Sequence, residues 1–573
     1  MPSPAETAVT PGRIWRTLRH YRLRQLAYYL YRRRIQPLMT SRIRSPSLSG
    51  RRPGVAMRPR PYAGQPADGD EAVTFLNVTR PFGRGGVVEW HPADASRLWR
   101  YNLHYFDYLG DDTRSVAARD RLIDTWITAN PPGTADAWEP YTASLRIINW
   151  IDYILRTEPT RPAPEPWLAS LGQQAAWLAA NLEHHIGANH LLKNAVAMTA
   201  AGAFFAGEDA ERWLDVGLRL VTAQAAQQFL ADGGHYERSP MYHAIAVQDL
   251  IDILNLLQSS GLCSGRRELA ALTAVARDGL GFLAAIRHPD GEIPLFNDAA
   301  FKIAPSPAAL IDYGQGVLGP DACPARPDGG VRLIDKPATG YFGHSGDGDF
   351  LLMDCGAVGP DDQPGHGHCD TLSFELSVDG RRLIVDSGVS GYEADPLRRY
   401  VRSTAAHNTV AVDGHEQSEI WSTFRIGRRA RPLTASIARE PDGTVRIEGA
   451  HDGYRHLPGR VVHRRTIRCE PEARRWIIED RLEGRGLVTA ESFLHVHPDL
   501  TVTRRRPILV AEAAGRTVLT ITPSGGDEVR LDDGHFYCPE FGRVLANPVV
   551  VQRVRASLPC RFGWTLEAPV TSA

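Results

Sequence analysis

At about residue 335 the apolar pattern of this chain changes period, and that change constrains the fold more than any single motif. Between roughly residues 90 and 315, apolar side chains recur at steps of three and four. In 167–182 the series Leu168, Leu171, Ala175, Leu178 and Leu182 marks one helical face. The same period runs through 190–206, 213–229, 241–257 and 269–286, with short polar or Gly-containing breaks, so consecutive helices are expected to stack as antiparallel hairpins. Beyond 335 the apolar runs shorten and alternate. Segments 372–378 and 382–385 around Asp379-Gly380 spell a β-hairpin, and further strands are expected at 408–412, 433–438, 445–448, 461–468, 476–480 and 518–522. Helices followed by strands predict a multidomain α+β chain, with a helical domain over 73–330 and an antiparallel β-sandwich over 331–573.

The first 72 residues differ from both. Segment 12–45 interleaves Arg13, Arg16, Arg19, Arg22, Arg24 and Arg32 to Arg34 with Trp15, Leu18, Tyr21, Leu26, Tyr28 and Tyr29, a basic and aromatic helical pattern. It suits an anionic membrane surface, an acidic polymer, or simple packing on the body. Segment 46–72, rich in Pro, Gly, Ser and Arg, reads as a linker. The formal charge of -1 carries little functional information, because arginine supplies nearly all the positive charge and the lysines are Lys193, Lys302 and Lys336. Seven scattered cysteines without a CxxC pair indicate neither a disulfide framework nor a zinc-thiolate site. The N-terminus lacks the apolar stretch of a signal peptide, and no run is expected to span a membrane, which favours a cytoplasmic or membrane-surface location.

Three clusters can carry chemistry. The densest is 365–370, Gly-His366-Gly-His368-Cys-Asp370, just before the hairpin; alternation along an extended segment puts His366 and His368 on one side. With Asp386 and His407, His368 would supply two imidazoles and a carboxylate, a reasonable shell for zinc or a similar divalent ion, although such separated residues can equally be unrelated. In 188–194, Asn189 and His190 open an apolar helix, where Asn189 alone reads as an N-cap. In 232–243, a glycine turn leads through His235, Tyr236, Glu237 and Arg238 into a helix that carries Tyr242 and His243, a concentration of titratable groups typical of a cleft.

The order of these clusters, together with Pro294-Leu295-Phe296-Asn297-Asp298 and His407-Asn408-Thr409, resembles the heparinase II/III family and related alginate lyases. Upstream matches occur at 101–106 and 138–141, with Arg146 and Trp150, and the likeness spans about 90–500. The resemblance implies an incomplete α/α toroid joined to a β-sandwich, each forming one wall of a substrate cleft. It implies a lyase that cleaves an acidic, uronate-containing polysaccharide by β-elimination. Asn189 and His190 would neutralise the uronate carboxylate, Tyr242 would transfer protons with help from His366, and Tyr400 would be a second active-site tyrosine. Tyr105, Tyr141 and Arg146 from the upstream matches, with Arg238, are the substrate-binding candidates. The divalent metal of metal-binding members, zinc above all, would fall on His368, Asp386 and His407.

The chemistry is sensible in itself. Removing a proton beside a carboxylate places charge on it, so hydrogen-bond donors must meet that charge before a base and an acid can divide the proton transfers. Glycoside hydrolysis would instead need two carboxylates, for which Glu237 with Asp232 or Asp298 are available. A non-catalytic polysaccharide-binding protein is the other alternative. No nucleic-acid partner is expected. The missing signal and the basic extension point to trimming of a polymer, such as an exopolysaccharide, during its biosynthesis, while the resemblance leaves a periplasmic location open. Glycosaminoglycan, alginate and exopolysaccharide substrates, and endo or exo action, stay open at this stage.

Overall fold

The computed structural model describes residues 10–34, 45–52, 57–64, 69–84, 87–157, 161–262, 266–323 and 329–569. Two helices open the chain, α1 (Pro11–Leu18) and α2 (Leu23–Arg34). The helical domain follows as α3 (Arg97–Tyr105), α4 (Val116–Ala129), α5 (Pro140–Thr157), α6 (Glu165–Ala179), α7 (Ala188–Phe204), α8 (Glu208–Gln228), α9 (Pro240–Ser259), α10 (Arg267–Ile286) and α11 (Pro307–Leu318). Helices α5, α7 and α9 are buried almost all round, whereas α8 buries a single stripe that includes Trp213, Leu214, Leu218, Val221 and Ala225. Each of these inner helices touches the next helix and the next but one: α5 packs on α6 and α7, α7 on α8 and α9, and α9 on α10 and α11. Such contacts make two helical layers, the inner one apolar on every face and the outer one amphipathic. Against expectation, α10 has the length and apolarity of a membrane span, but it buries Leu272, Ala276, Leu280 and Leu283 among its neighbours.

The segment expected as a linker is fastened to the helical domain in its described parts. Gly50–Arg51 pairs with Phe205–Ala206, and the Arg60 guanidinium donates to Asp252 and Asn149, both at 2.9 Å. The change from helix to strand falls between Leu318 and Arg332.

Every named sheet beyond that point is antiparallel. A five-stranded sheet runs in chain order through Arg332–Lys336, Tyr341–Gly346, Asp349–Asp354, Phe374–Val378 and Arg381–Ile384. Its last turn is the expected Asp379-Gly380, with φ of 50° and 78°, the two left-handed residues of a tight hairpin. An eight-stranded sheet lies opposite and holds the strands expected near 433, 445, 461, 476 and 518; Val410–Val412 belongs to a four-stranded sheet. Phe342, Met353, Phe374 and Leu376 of the first sheet pack with Ile447, Ile467, Trp476 and Trp564 of the second and with Leu494 and Val550 of the third, which makes the unit a sandwich.

The two domains meet tightly. Phe282, Ile286 and Phe296 form an apolar cluster with Ile334, Tyr341, Phe350 and Leu352, and Arg382 bridges Asp290 at 2.6 Å and Glu375 at 3.0 Å. Gly234 lies in this contact with no room for a side chain: a Cβ there would lie 2.0 Å from Thr339 Oγ1. Cys323, Cys355, Cys369, Cys469, Cys538 and Cys560 are free thiols; Cys263 lies outside the described residues.

Candidate functional site

The site forms where the N-terminal ends of α7 and α9 face the loops of the sandwich. Gly187, not Asn189, caps α7, so Asn189 lies inside the first turn. Both its backbone N–H and its side-chain amide donate to Glu237, each at 3.1 Å. His190 stands beside it, half exposed, 3.2 Å from Glu183 and packed on the Tyr141 ring at 4.5 Å. Burial alone would lower the His190 pKa, but Glu183 outweighs it and raises the value. A positive imidazole at a helix N-terminus favours a bound anion.

Tyr242 sits in the first turn of α9, whose cap, Ser239 Oγ, accepts from the Tyr242 N–H at 3.3 Å and donates to the Asp298 carbonyl at 2.6 Å. The Tyr242 hydroxyl meets that of Tyr392 at 2.8 Å, and its ring lies 4.0 Å from that of His366. Burial first holds the pKa of both phenols above the ordinary range, helped at Tyr242 by Tyr392 and at Tyr392 by the Asp298 carboxylate. Tyr141 adds to this effect at Tyr392, and Tyr242 in turn raises Tyr141.

His366 and His368 do project to one side, onto a single carboxylate. His366 Nδ1 donates to Asp298 Oδ2 and His368 Nε2 to Oδ1, each at 2.8 Å. Gly367 between them permits this, since a Cβ would lie 2.0 Å from the Val358 carbonyl oxygen. Arg398 grips Asp298 with both terminal nitrogens. His366 Nε2 also stands 3.6 Å from Glu237, so Asn189, Glu237, His366, Asp298 and Arg398 form one chain of polar contacts across the domain junction.

The metal candidates converge in part. His368 and His407 come together with Asp370, their ligand atoms all within 4.8 Å of one another. Asp386, expected as the carboxylate ligand, instead accepts from His407 Nδ1 at 3.0 Å. Each imidazole therefore gives one nitrogen to a carboxylate and leaves the other, His368 Nδ1 and His407 Nε2, buried without a hydrogen-bond partner. That is the pattern of metal-binding histidines oriented by carboxylates. Burial raises Asp354, Asp370 and Asp386, while His407, whose own value Asp386 raises against burial, opposes the rise of the latter two. Burial lowers His368 to about 3, the neutral form a metal needs.

Other expectations fail because the side chains are enclosed or already paired. Arg146 is completely enclosed, stacked 4.0 Å over Trp126 and donating to Gln174 and the carbonyls of His104 and Ala137; it braces helices and cannot reach a polymer. Arg238 spends its guanidinium on the carbonyls of Tyr236, Ala338 and Thr339, tying the two domains. Tyr400 does not join Tyr242: its hydroxyl meets His535 Nδ1 at 3.1 Å and accepts from the Phe536 N–H, while Tyr392 takes the place foreseen for it. Tyr105 and Tyr141 remain half exposed beside His190, with rings 6.2 Å apart. Asp232 is consumed by Thr339 and Gly234, and Asp298 by its three partners, so the carboxylate pair of a hydrolase is not free.

Comparison with known proteins accords with this geometry. Residues 79–306 match the description "Heparinase II/III N-terminus" and residues 329–565 "Heparinase II/III-like, C-terminal". A heparin-sulfate lyase of Bacteroides thetaiotaomicron is 23% identical over 382 residues, covering 57% of this chain and 54% of that one. A heparin-sulfate lyase of Bacteroides stercoris is 27% identical over 446 residues, covering 67% and 62%. Against the first of these relatives and one from Pedobacter heparinus, the chain spans about half of their length, 54% and 46%. Among solved structures, heparinase III superposes with a TM-score of 0.67 at 18% identity, over 86% of this chain and 81% of that one. A heparan sulfate lyase mutant from Pedobacter heparinus gives 0.59 at 18% identity, over 96% and 89%.

Proposed function

This chain belongs to the heparinase II/III family, and we propose that it is a polysaccharide lyase that cleaves a uronate-containing, glycosaminoglycan-like polymer by β-elimination. The observation that carries the reading is the stack of Tyr242, Tyr392 and His366 beside the Asn189–Glu237 and His190–Glu183 pairs. It joins proton-transfer groups to a cationic, amide-lined helix N-terminus, the two halves that elimination next to a carboxylate requires. The heparin-sulfate lyase relatives favour a glycosaminoglycan over an alginate or exopolysaccharide.

In this reading the uronate carboxylate lies against Asn189 and His190, whose imidazole Glu183 biases toward its charged form, which lowers the cost of carbanion character at C5. Tyr242, kept protonated by burial, donates to the departing O4, with Tyr392 relaying through their shared hydrogen bond. His366, whose Nδ1 is engaged by Asp298, takes the C5 proton at Nε2, so that one proton leaves C5 as one is given to O4. Tyr105 and Tyr141 offer aromatic faces for sugar rings.

His368, Asp370 and His407 would hold a divalent ion such as zinc, with Asp298 and Asp386 orienting the imidazoles; bound there, it would balance the buried carboxylates and fix the loop that carries His366. Zinc at a hundredfold over its dissociation constant is expected to stabilise the metal-free protein by about 2.7 kcal/mol. A His368→Ala, His407→Ala double variant should lose that rise in melting temperature. No thermal response of the wild type to zinc, calcium or manganese would remove the metal from the account.

The function is tested by incubating the protein with heparan sulfate, chondroitin, alginate and a bacterial uronate exopolysaccharide. Products with the absorbance and mass of an unsaturated uronate are expected from the glycosaminoglycans. Saturated products one water heavier would mean hydrolysis, and tight binding without products would mean a binding protein.

A further inference from the structure

The two N-terminal helices are amphipathic the wrong way round for a free surface. α1 turns its polar side inward: Arg13 and Arg16 meet Glu419 at 3.2 and 2.6 Å, and Thr17 accepts from the Trp421 indole at 3.1 Å. α2 does the same against the helical domain, burying Gln25, with Tyr28 on the His184 ring and Arg32 on His185 at 3.2 Å. Their apolar residues face outward. Trp15 is 63% exposed, Leu23 84% and Leu30 62%, with Ile14, Leu18 and Tyr29 exposed beside them. Ile14, Trp15 and Leu18 share one side of α1, and Leu23 and Leu30 lie two turns apart on one side of α2. Six of the sixteen exposed large hydrophobic side chains among the described residues fall within this short stretch, so the clustering is not the usual scatter.

The charge around the patch selects its occupant. Residues 10–34 hold eight arginines and no Asp or Glu, in a chain whose formal net charge is -1. Arg19, Arg24, Arg33 and Arg34 are exposed on the same two helices. A second copy would bring Arg19, Arg24, Arg33 and Arg34 against the same four with no Asp or Glu of either helix between them, since a two-fold contact repeats the same surface. A polyanionic sugar could pair with the arginines but has no use for aliphatic side chains. An anionic lipid surface satisfies both, taking Trp15 and the leucines into the acyl boundary and the guanidinium groups at the headgroups.

We propose that α1 and α2 form a docking face for an anionic membrane, seating the protein in the interfacial plane. The location has a consequence for the site. The same helices grip segment 183–186, which leads into Asn189 and His190, and residues 361–362 and 419–425, where Phe424 packs on His366. Docking therefore sets the catalytic junction close to the lipid, where a polymer emerging at a membrane would meet it.

The test is co-sedimentation of the full chain with phosphatidylcholine vesicles, with and without phosphatidylglycerol. Binding to the anionic vesicles only, weakening with salt, is expected. Trp15→Ser, Leu23→Ser, Leu30→Ser combined should abolish it without changing the melting temperature, because none of the three supports the body. Arg33→Gln and Arg34→Gln should each weaken it about fivefold. Failure of the wild type to bind, or binding undiminished in the triple Ser variant, would overturn the proposal. So would a patch-dependent dimer in sedimentation velocity, or patch-dependent retention on heparin, found without vesicle binding.

Discussion

Tyr242→Phe is expected to lower turnover on a uronate polymer by about a thousandfold while leaving the Michaelis constant nearly unchanged, the size of effect that a positioned proton donor contributes. The substitution removes one oxygen and keeps the ring, so the 4.0 Å stack on His366 and the packing of α9 persist. What it takes away is the phenol that burial and Tyr392 hold protonated, together with one hydrogen bond at 2.8 Å. Losing that bond should cost about 1 kcal/mol of stability, far too little to explain the loss of rate by unfolding. Tyr400→Phe is the control: its hydroxyl serves His535 and the Phe536 backbone, so turnover should stay close to wild type. Stopped assays that follow the ultraviolet chromophore of the unsaturated product would measure both. A Tyr242→Phe enzyme within tenfold of wild type, or a Tyr400→Phe enzyme as impaired as it, would remove Tyr242 from the proton-transfer role.

The contrast between these tyrosines marks where the sequence could be read and where it could not. Helices were legible because a half-buried outer helix must repeat at three and four, and α10 and α6 lie within a few residues of the periodic stretches. Strands are legible where one face meets water or where a turn signal marks them, as Asp379-Gly380 marks the fully buried Phe374–Val378. Tyr341–Gly346 and Asp349–Asp354 are buried along nearly their whole length, so they show no alternation and went unread. The long strands Glu528–Glu540 and Arg543–Ser557 were missed for the opposite reason, since exposed residues interrupt their apolar pattern. Among site residues, alternation places His366 and His368 on one side, while their roles come only from the resemblance. Tyr392 lies in an irregular stretch after Gly391 with no period to place it, and only the fold brings its hydroxyl to Tyr242. Arg146 and Arg238 misled because a guanidinium looks the same in sequence whether it faces a polyanion or, as here, is consumed by carbonyls and an indole inside the protein. Asp370, the third member of the metal cluster, was in view inside 365–370 but carried no signal to rank it above Asp386.

Asp298→Asn should be the most damaging single substitution at the junction, destabilising the protein by about 3 to 5 kcal/mol, the cost of leaving a buried cation without its partner. The carboxylate comes from the loop after α10, yet everything it holds belongs to the sandwich: His366, His368 and, through two nitrogens, Arg398. Burial alone would raise its pKa; Arg398 and the two imidazole donors outweigh that and keep it well below the usual carboxylate range. A group whose folded pKa is depressed adds stability that is fully present above its unfolded value, about 3.9, and is lost as pH falls through the folded value. Wild type and variant should therefore differ most above about pH 4 and converge in stronger acid. Denaturant titrations at several pH values would follow the difference. The same change should nearly abolish turnover, because an amide can give His366 Nδ1 an acceptor only if its oxygen turns away from His368 or Arg398. An Asp298→Asn protein as stable as wild type at neutral pH would mean that the buried ion pair does not hold the two walls of the site together, and that His366 owes its orientation to the Tyr242 and Phe424 rings instead.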